Sequence, residues 1–122
     1  MSVNCYEDLD VYKKGFAAVK AVYAWCKKLP PEERFGLISQ LQRASASVSA
    51  NVAEGFIRRI PRDKARFYSI AEGSAEEVSV FIRIAMTVGY APPPEGLFAS
   101  VKDLAKMLRR LTDVTLARIE GR

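Results

Sequence analysis

Proline divides this chain. Its six prolines fall at three places: Pro30-Pro31, Pro61, and Pro92-Pro93-Pro94. In a helix interior, proline removes a backbone donor and clashes with the preceding turn, yet the first turn accepts it. Each of the three places is therefore a stop followed by a start. Between them lie stretches of helical length, and β-branched residues nowhere alternate as a strand requires. The pattern predicts one domain over 1–122 with helices at about 9–29, 31–57, 62–88 and 95–120. Short connections make neighbours antiparallel, so the expected architecture is an all-α, up-down-up-down four-helix bundle.

Apolar spacings of three and four suggest which faces meet. On the first helix the series is Leu9, Tyr12, Phe16, Val19, Tyr23 and Cys26, with Asp8 as a candidate cap. On the second it is Leu37, Leu41, Val48, Val52 and Phe56, with Ala44 and Ala53 beside them. Glu32 and Glu33 sit in that helix's expected first turn, where carboxylates suit the helix dipole. The third offers Phe67, Ile70, Ser74, Val78, Phe81, Ala85 and Val88, ending at Gly89 as a C-terminal cap. The fourth offers Leu97, Val101, Leu104, Leu108, Leu111, Thr115 and Ile119.

Residues 43–59, RASASVSANVAEGFIRR, carry little apolar bulk. On a helix, Gln40, Ser47, Asn51, Glu54 and Arg58 fall on one line beside the Val48–Val52 stripe, with Arg43 flanking it. Small residues let helix backbones approach closely, and Gly55 and Gly73 suggest such a contact with the third helix. The line reads either as a polar network between helices or subunits, or as a solvated face. In the first case Asn51 and Glu54 need partners, because an unsatisfied buried polar group costs on the order of 1–3 kcal/mol.

The chain has no histidine, the commonest general acid–base residue and metal ligand. Its two cysteines, Cys5 and Cys26, lack metal or redox spacing, and Cys26 fits an apolar position. No glycine-rich phosphate loop or nucleophile–base pair is present. Carboxylate di-iron sites in bundles need Glu-x-x-His pairs, which this chain cannot form. These features predict a protein that is not an enzyme and takes no cofactor or metal. The N-terminal stretch MSVNCYEDLDVYKKG lacks the apolar run of a signal peptide, and no segment approaches the ~20 apolar residues of a membrane span. A cytoplasmic protein without a membrane partner is expected.

The stretches QLQRASASVSANVAEGFIRR (40–59) and RFYSIAEGSAEEVSVFIRIAMTVGY (66–90), preceded by LDVYKKGFAAVKAVYAWCKKLPPEERFGL (9–37), resemble the 23S rRNA intervening-sequence proteins. The resemblance is carried by Tyr12, Lys13, Pro30, Glu33, Gln40, Arg43, Ala44, Asn51, Ala53, Glu54, Gly55, Arg58, Gly73, Ser74 and Glu77. Val52 and Leu29 stand where the family has isoleucine and phenylalanine. The resemblance implies a four-helix bundle assembled as a ring-shaped homopentamer. It extends to the accessory variability protein of diversity-generating retroelements, a basic barrel that binds nucleic acid and a reverse transcriptase. The family name records where some of its genes sit. It favours the network reading of the polar line, with Gln40, Arg43, Asn51, Glu54, Ser74 and Glu77 as an inter-helix or inter-subunit set.

A formal net charge of +5 favours anionic partners. Arg58, Arg59, Arg62, Lys64 and Arg66 cluster about the second connection, with Asp63 opposing them, and Lys102, Lys106 and Arg109 line the fourth helix. These eight are candidate contacts to RNA or DNA phosphates, or else a solubilising surface. No base-reading motif accompanies them. Two functions are therefore expected: a homo-oligomeric scaffold that binds nucleic acid through its backbone, or a structural oligomer serving another protein.

Overall fold

The structure is a computed structural model that describes residues 5–120; residues 1–4 and 121–122 of the expected domain and N-terminal stretch lie outside them. Among the described residues, four α-helices and two 3-10 turns account for the regular structure, with no strand. The helices are α1 (Asp10–Cys26), α2 (Leu37–Ile57), α3 (Pro61–Thr87) and α4 (Leu97–Glu120). Contacts join α1 to α2, α2 to α3, α3 to α4 and α4 back to α1, so α1–α3 and α2–α4 are the diagonals. Partner numbers run in opposite directions across these pairs. Arg43 meets Glu77, Ser47 meets Ser74, and Gly55 lies beside Tyr68. Arg83 stacks on Phe98, Lys102 pairs with Glu76, and Arg109 pairs with Glu72. The bundle is antiparallel throughout, as the short connections require.

The second helix begins at Leu37, not at Pro31. Pro31–Glu33 form only a 3-10 turn, and the Glu33 carboxylate accepts a hydrogen bond from the Leu37 amide at 3.0 Å. Gly36 leaves space for that reach, since a Cβ there would stand 2.7 Å from Glu33 Oε1. Asp8 does not cap α1. It belongs to the turn Tyr6–Asp8, and the residue before the helix is Leu9, which makes no side-chain cap. The first helix ends at Cys26, three residues short of the expected end, and α4 begins at Leu97 after Gly96, whose φ is +84°. Pro61 opens α3 at its first turn. Its C-terminus matches expectation. Gly89 adopts φ +86°, its amide bonds the Met86 carbonyl at 3.2 Å, and the Tyr90 amide bonds the Ala85 carbonyl at 3.0 Å. That pair of bonds is a Schellman motif.

The core does not sit where bulk alone would put it. On α1 the buried face is Val11, Gly15, Ala18, Val22 and Trp25, joined by Cys26. Phe16 and Tyr23 of the expected face are 49% and 43% exposed. On α3 the buried line includes Ala71, Ala75, Val78, Ile82 and Ala85, while Ile70 and Val88 face outward. Cys26 on α1 and Ser74, Val78 and Ala85 on α3 are buried as expected, while Phe16, Tyr23, Ile70 and Val88 are turned outward because the neighbouring helices approach closely at the small residues Gly15, Ala18, Ala71 and Ala75. On α2 the apolar stripe from Leu37 to Val52 is buried as read, with Ser45 and Ser49 added and Phe56 only half-buried. On α4 the stripe from Leu97 to Leu108 is buried, with Thr115 also buried further along. Burial pushes the Cys26 thiol up to about 11. No described helix is long and apolar enough to cross a membrane.

Gly55 marks the tightest approach. A Cβ there would lie 2.7 Å and 2.8 Å from the buried Tyr68 ring and 3.2 Å from the Lys64 carbonyl oxygen. Alanine ordinarily favours a helix over glycine by about 1 kcal/mol. Here overpacking, typically about 1–3 kcal/mol, outweighs that gain. Gly55→Ala is therefore expected to lower the urea midpoint of the protein.

Candidate functional site

The polar line of α2 faces α3 along a half-buried seam. At its centre the Ser47 and Ser74 hydroxyls are 2.8 Å apart. Asn51 Nδ2 donates to the Ser47 carbonyl at 2.9 Å and to Ser47 Oγ at 3.0 Å. Ser74 is buried, while Ser47 and Asn51 are half-buried. Toward one end, Arg43 donates to Gln40 Oε1 and pairs with Glu77 at 3.4 Å, with both charged side chains about half exposed. Toward the other, Glu54 pairs with Arg58 one turn on. The expected set thus forms three neighbouring groups rather than one chain of bonds. Its middle is interior and its ends are solvated, where ion pairs contribute roughly 0–1 kcal/mol. Ser47 is the link that joins Asn51 to Ser74, and its place on the same helical line was the signal for it.

The basic candidates separate into engaged and open groups. Lys64 Nζ donates to the carbonyls of Phe56 (2.6 Å) and Gly55 (3.3 Å), closing the last turn of α2. That is the favourable place for a cation at a helix C-terminus. Burial there, and then the nearby Arg118, hold its ammonium below the usual lysine range. Lys64 thus serves the fold before any phosphate. Lys102 pairs with Glu76 at 2.7 Å and Arg109 with Glu72 at 3.7 Å, so these α4 residues face carboxylates of α3. Arg59, Arg62, Arg66 and Lys106 are exposed, with no carboxylate partner among the described residues. Arg58 and Arg66 lie over the Phe67 ring at 4.9 Å and 5.0 Å. Phe67 thereby holds two guanidinium groups at the end of the bundle where α2 turns into α3. Arg118 of α4 reaches the same end, close enough to act on both Lys64 and Tyr68. Sixty residues of sequence separate Arg118 from Arg58, and no local pattern links them.

The opposite end is tied together by side-chain hydrogen bonds across its connections. Trp25 is buried, and its Nε1 donates to the Ala91 carbonyl at 2.9 Å, tying α1 to the α3–α4 connection. Tyr90 Oη donates to Glu33 Oε2 at 2.7 Å, while Glu33 Oε1 holds the Leu37 amide. The Leu37 amide bond, and then the Tyr90 hydroxyl, hold the Glu33 carboxyl below the usual carboxylate range. The hydrogen bond to Glu33, and then burial, hold the Tyr90 phenol above its usual range. Glu33 is thus a clasp between two connections rather than only a favourable charge near a helix start.

Residues 7–112 match the family model described as 23S rRNA-intervening sequence protein. No curated protein matches the chain.

The Glu33–Tyr90 clasp gives stability a pH signature. A carboxyl with a lowered folded pKa contributes fully above its unfolded value, ~4.3, and loses that contribution as pH falls through the folded value. A phenol with a raised folded pKa contributes below its unfolded value, ~10, and loses it as pH rises through the folded value. In urea titrations across pH, Glu33→Gln is expected to lose less stability on acidification than the unmodified protein. Tyr90→Phe is expected to flatten the alkaline limb.

Proposed function

The chain belongs to the 23S rRNA-intervening sequence protein family, and on that footing we propose that it is a homo-oligomeric, non-catalytic scaffold binding nucleic acid through the phosphate backbone. One observation carries the assembly reading. Ile70, Gly73, Val80 and Ile84 lie on one outward side of α3 and Val88 follows at its C-terminus, a ridge interrupted by the exposed Glu77 that pairs with Arg43; the four larger apolar side chains are 43–57% exposed. The ridge borders the Ser47–Ser74 seam and the exposed Ala46 and Ala50 of α2. Exposed large apolar side chains grouped on one side of a helix point to an interaction surface. Gly73 supports the same reading. Among the described residues, no atom apart from its chain neighbours and its own helix backbone lies within 4 Å of where its Cβ would be, so the close contact expected for it is not made with α2. A mid-helix glycine costs about 1 kcal/mol against alanine, and a second copy approaching there would give that cost a purpose. A homopentameric ring is the assembly that the resemblance implies.

The open guanidinium groups at the α2–α3 end support the nucleic-acid reading. Arg59, Arg62 and Arg66 are exposed, and Arg58 and Arg66 are oriented on Phe67. In a ring these groups would repeat around one rim, and a charge of +5 per copy would add up to a strong field.

Two expectations follow. Solution mass by light scattering should exceed that of one chain, and Ile84→Glu should lower it while leaving the helical circular-dichroism spectrum unchanged. A monomeric wild type at every concentration tested would remove the assembly reading. In anisotropy titrations, Arg59→Ala with Arg62→Ala should weaken binding to nucleic acid and flatten its salt dependence by about 0.7–0.9 per lost phosphate contact. An assembled protein with no affinity even at low salt would leave a structural oligomer that serves another protein.

A further inference from the structure

We propose that the outer face of α1 is a track for single-stranded nucleic acid, with aromatic rings to stack on unpaired bases and lysines to follow the phosphates. This deepens the nucleic-acid reading above and rests on it. From Val11 to Leu29 the chain carries five lysines and no aspartate or glutamate. All the ion pairs among the described residues join side chains of 43–109, and none involves these lysines. Lys13, Lys20 and Lys27 are exposed and recur every seven residues, about 10.5 Å apart along the helix. They form one line.

Beside that line runs a second one made of rings. Tyr12 and Phe16 stack at 5.8 Å with planes 21° apart, and Tyr23 follows two turns after Phe16. Phe16 and Tyr23 are close to half exposed, and the core is complete without them. Two open grooves of about 390 and 450 Å³ lie along this face and share Lys20. The first is lined by Tyr12, Lys13 and Phe16, the second by Tyr23, Lys27 and Gln42. Glu7 lines the first groove at its N-terminal edge, so the track runs from Lys13 toward Lys27.

The choice of occupant follows from this chemistry. A basic groove with aromatic platforms binds single strands, because every base has a face to stack and the backbone supplies the charge. A duplex hides those faces and would leave the rings unused. A second copy meeting this face through its own would set lysine against lysine, with no carboxylate on 11–29 to relieve it.

The test is fluorescence-anisotropy titration of the full chain with oligothymidine, oligouridine and a duplex of equal length. The single strands are expected to bind more tightly than the duplex. Phe16→Ala with Tyr23→Ala should weaken single-strand binding by about tenfold or more, with duplex binding little changed. Tyr23→Phe should retain it. Lys13→Ala, Lys20→Ala and Lys27→Ala together should reduce the slope of log affinity against log salt by about 2. These sites are exposed, and melting curves check that each variant is folded. Single-strand binding that persists in folded ring and lysine variants, but is lost on Arg59→Ala with Arg62→Ala, would overturn the α1 track and keep the broader reading. No binding by the wild type at low salt would overturn both. A fall in solution mass on Phe16→Ala with Tyr23→Ala would show a contact between copies and overturn the track.

Discussion

Close approach of the helices through small side chains is the constraint on which the rest of this bundle depends. Ala44 on α2 and Ala71, Ala75 and Ala85 on α3 are fully buried, and Gly55 lies under the Tyr68 ring with no space for a methyl group. A core built this way has room for a limited number of large residues. Trp25, Leu41, Ile82, Leu104 and Leu108 fill it. The remaining bulk goes outside, as Phe16 and Tyr23 on α1 and Ile70, Val80 and Ile84 on α3. The surfaces available for partners are therefore a consequence of core packing.

The same closeness gives the polar seam its form. Ser47 and Ser74 reach each other directly because neither backbone is held away by a large neighbour, and Asn51 completes the group by bonding back to the preceding turn. Interior hydrogen bonds of this sort contribute modestly to stability, typically about 1 kcal/mol each, but leaving one unmade in a buried position costs more. The seam therefore sets the register of α2 against α3 more strongly than it adds stability. The bundle's ends are also unequal. One is closed by Trp25, Glu33 and Tyr90 across two connections. The other gathers Arg58, Arg59, Arg62, Lys64 and Arg66 and takes Arg118 from α4. The α2–α3 connection and the first turn of α3 thus make one end basic, while the other end is held by side-chain bonds across its connections.

Much of this was legible in the amino-acid order. Helix number, the start at Pro61 and the left-handed stop at Gly89 follow from backbone chemistry that acts within a few residues. The α4 stripe was legible because that helix has a single apolar face. The polar line of α2 was legible as a line, and Arg43 and Glu77, or Ser47 and Ser74, become partners only once α3 lies alongside. Sequence shows the charge of Lys64, which makes it a candidate phosphate contact, but not the carbonyls of Gly55 and Phe56 that its ammonium caps. The lysine run of α1 was visible in composition, and its significance depended on knowing that its aromatic neighbours face outward.

What the sequence determined by itself was how many helices there are, the start of α3 at Pro61 and its stop at Gly89, and that short connections fold the helices antiparallel, because prolines, glycines and apolar periodicity act locally. What only the tertiary structure decided was which face of α1 and α3 points inward. On both helices the buried face mixes small residues with a few large ones, such as Trp25 and Ile82, while Phe16 and Ile70 lie on the neighbouring apolar line, and periodicity does not choose between the two. The choice belongs to the neighbouring helices. Their own small residues set the separation between backbones, and that separation accepts Ala18 and Ala71 in the core while leaving Phe16 and Ile70 to the surface.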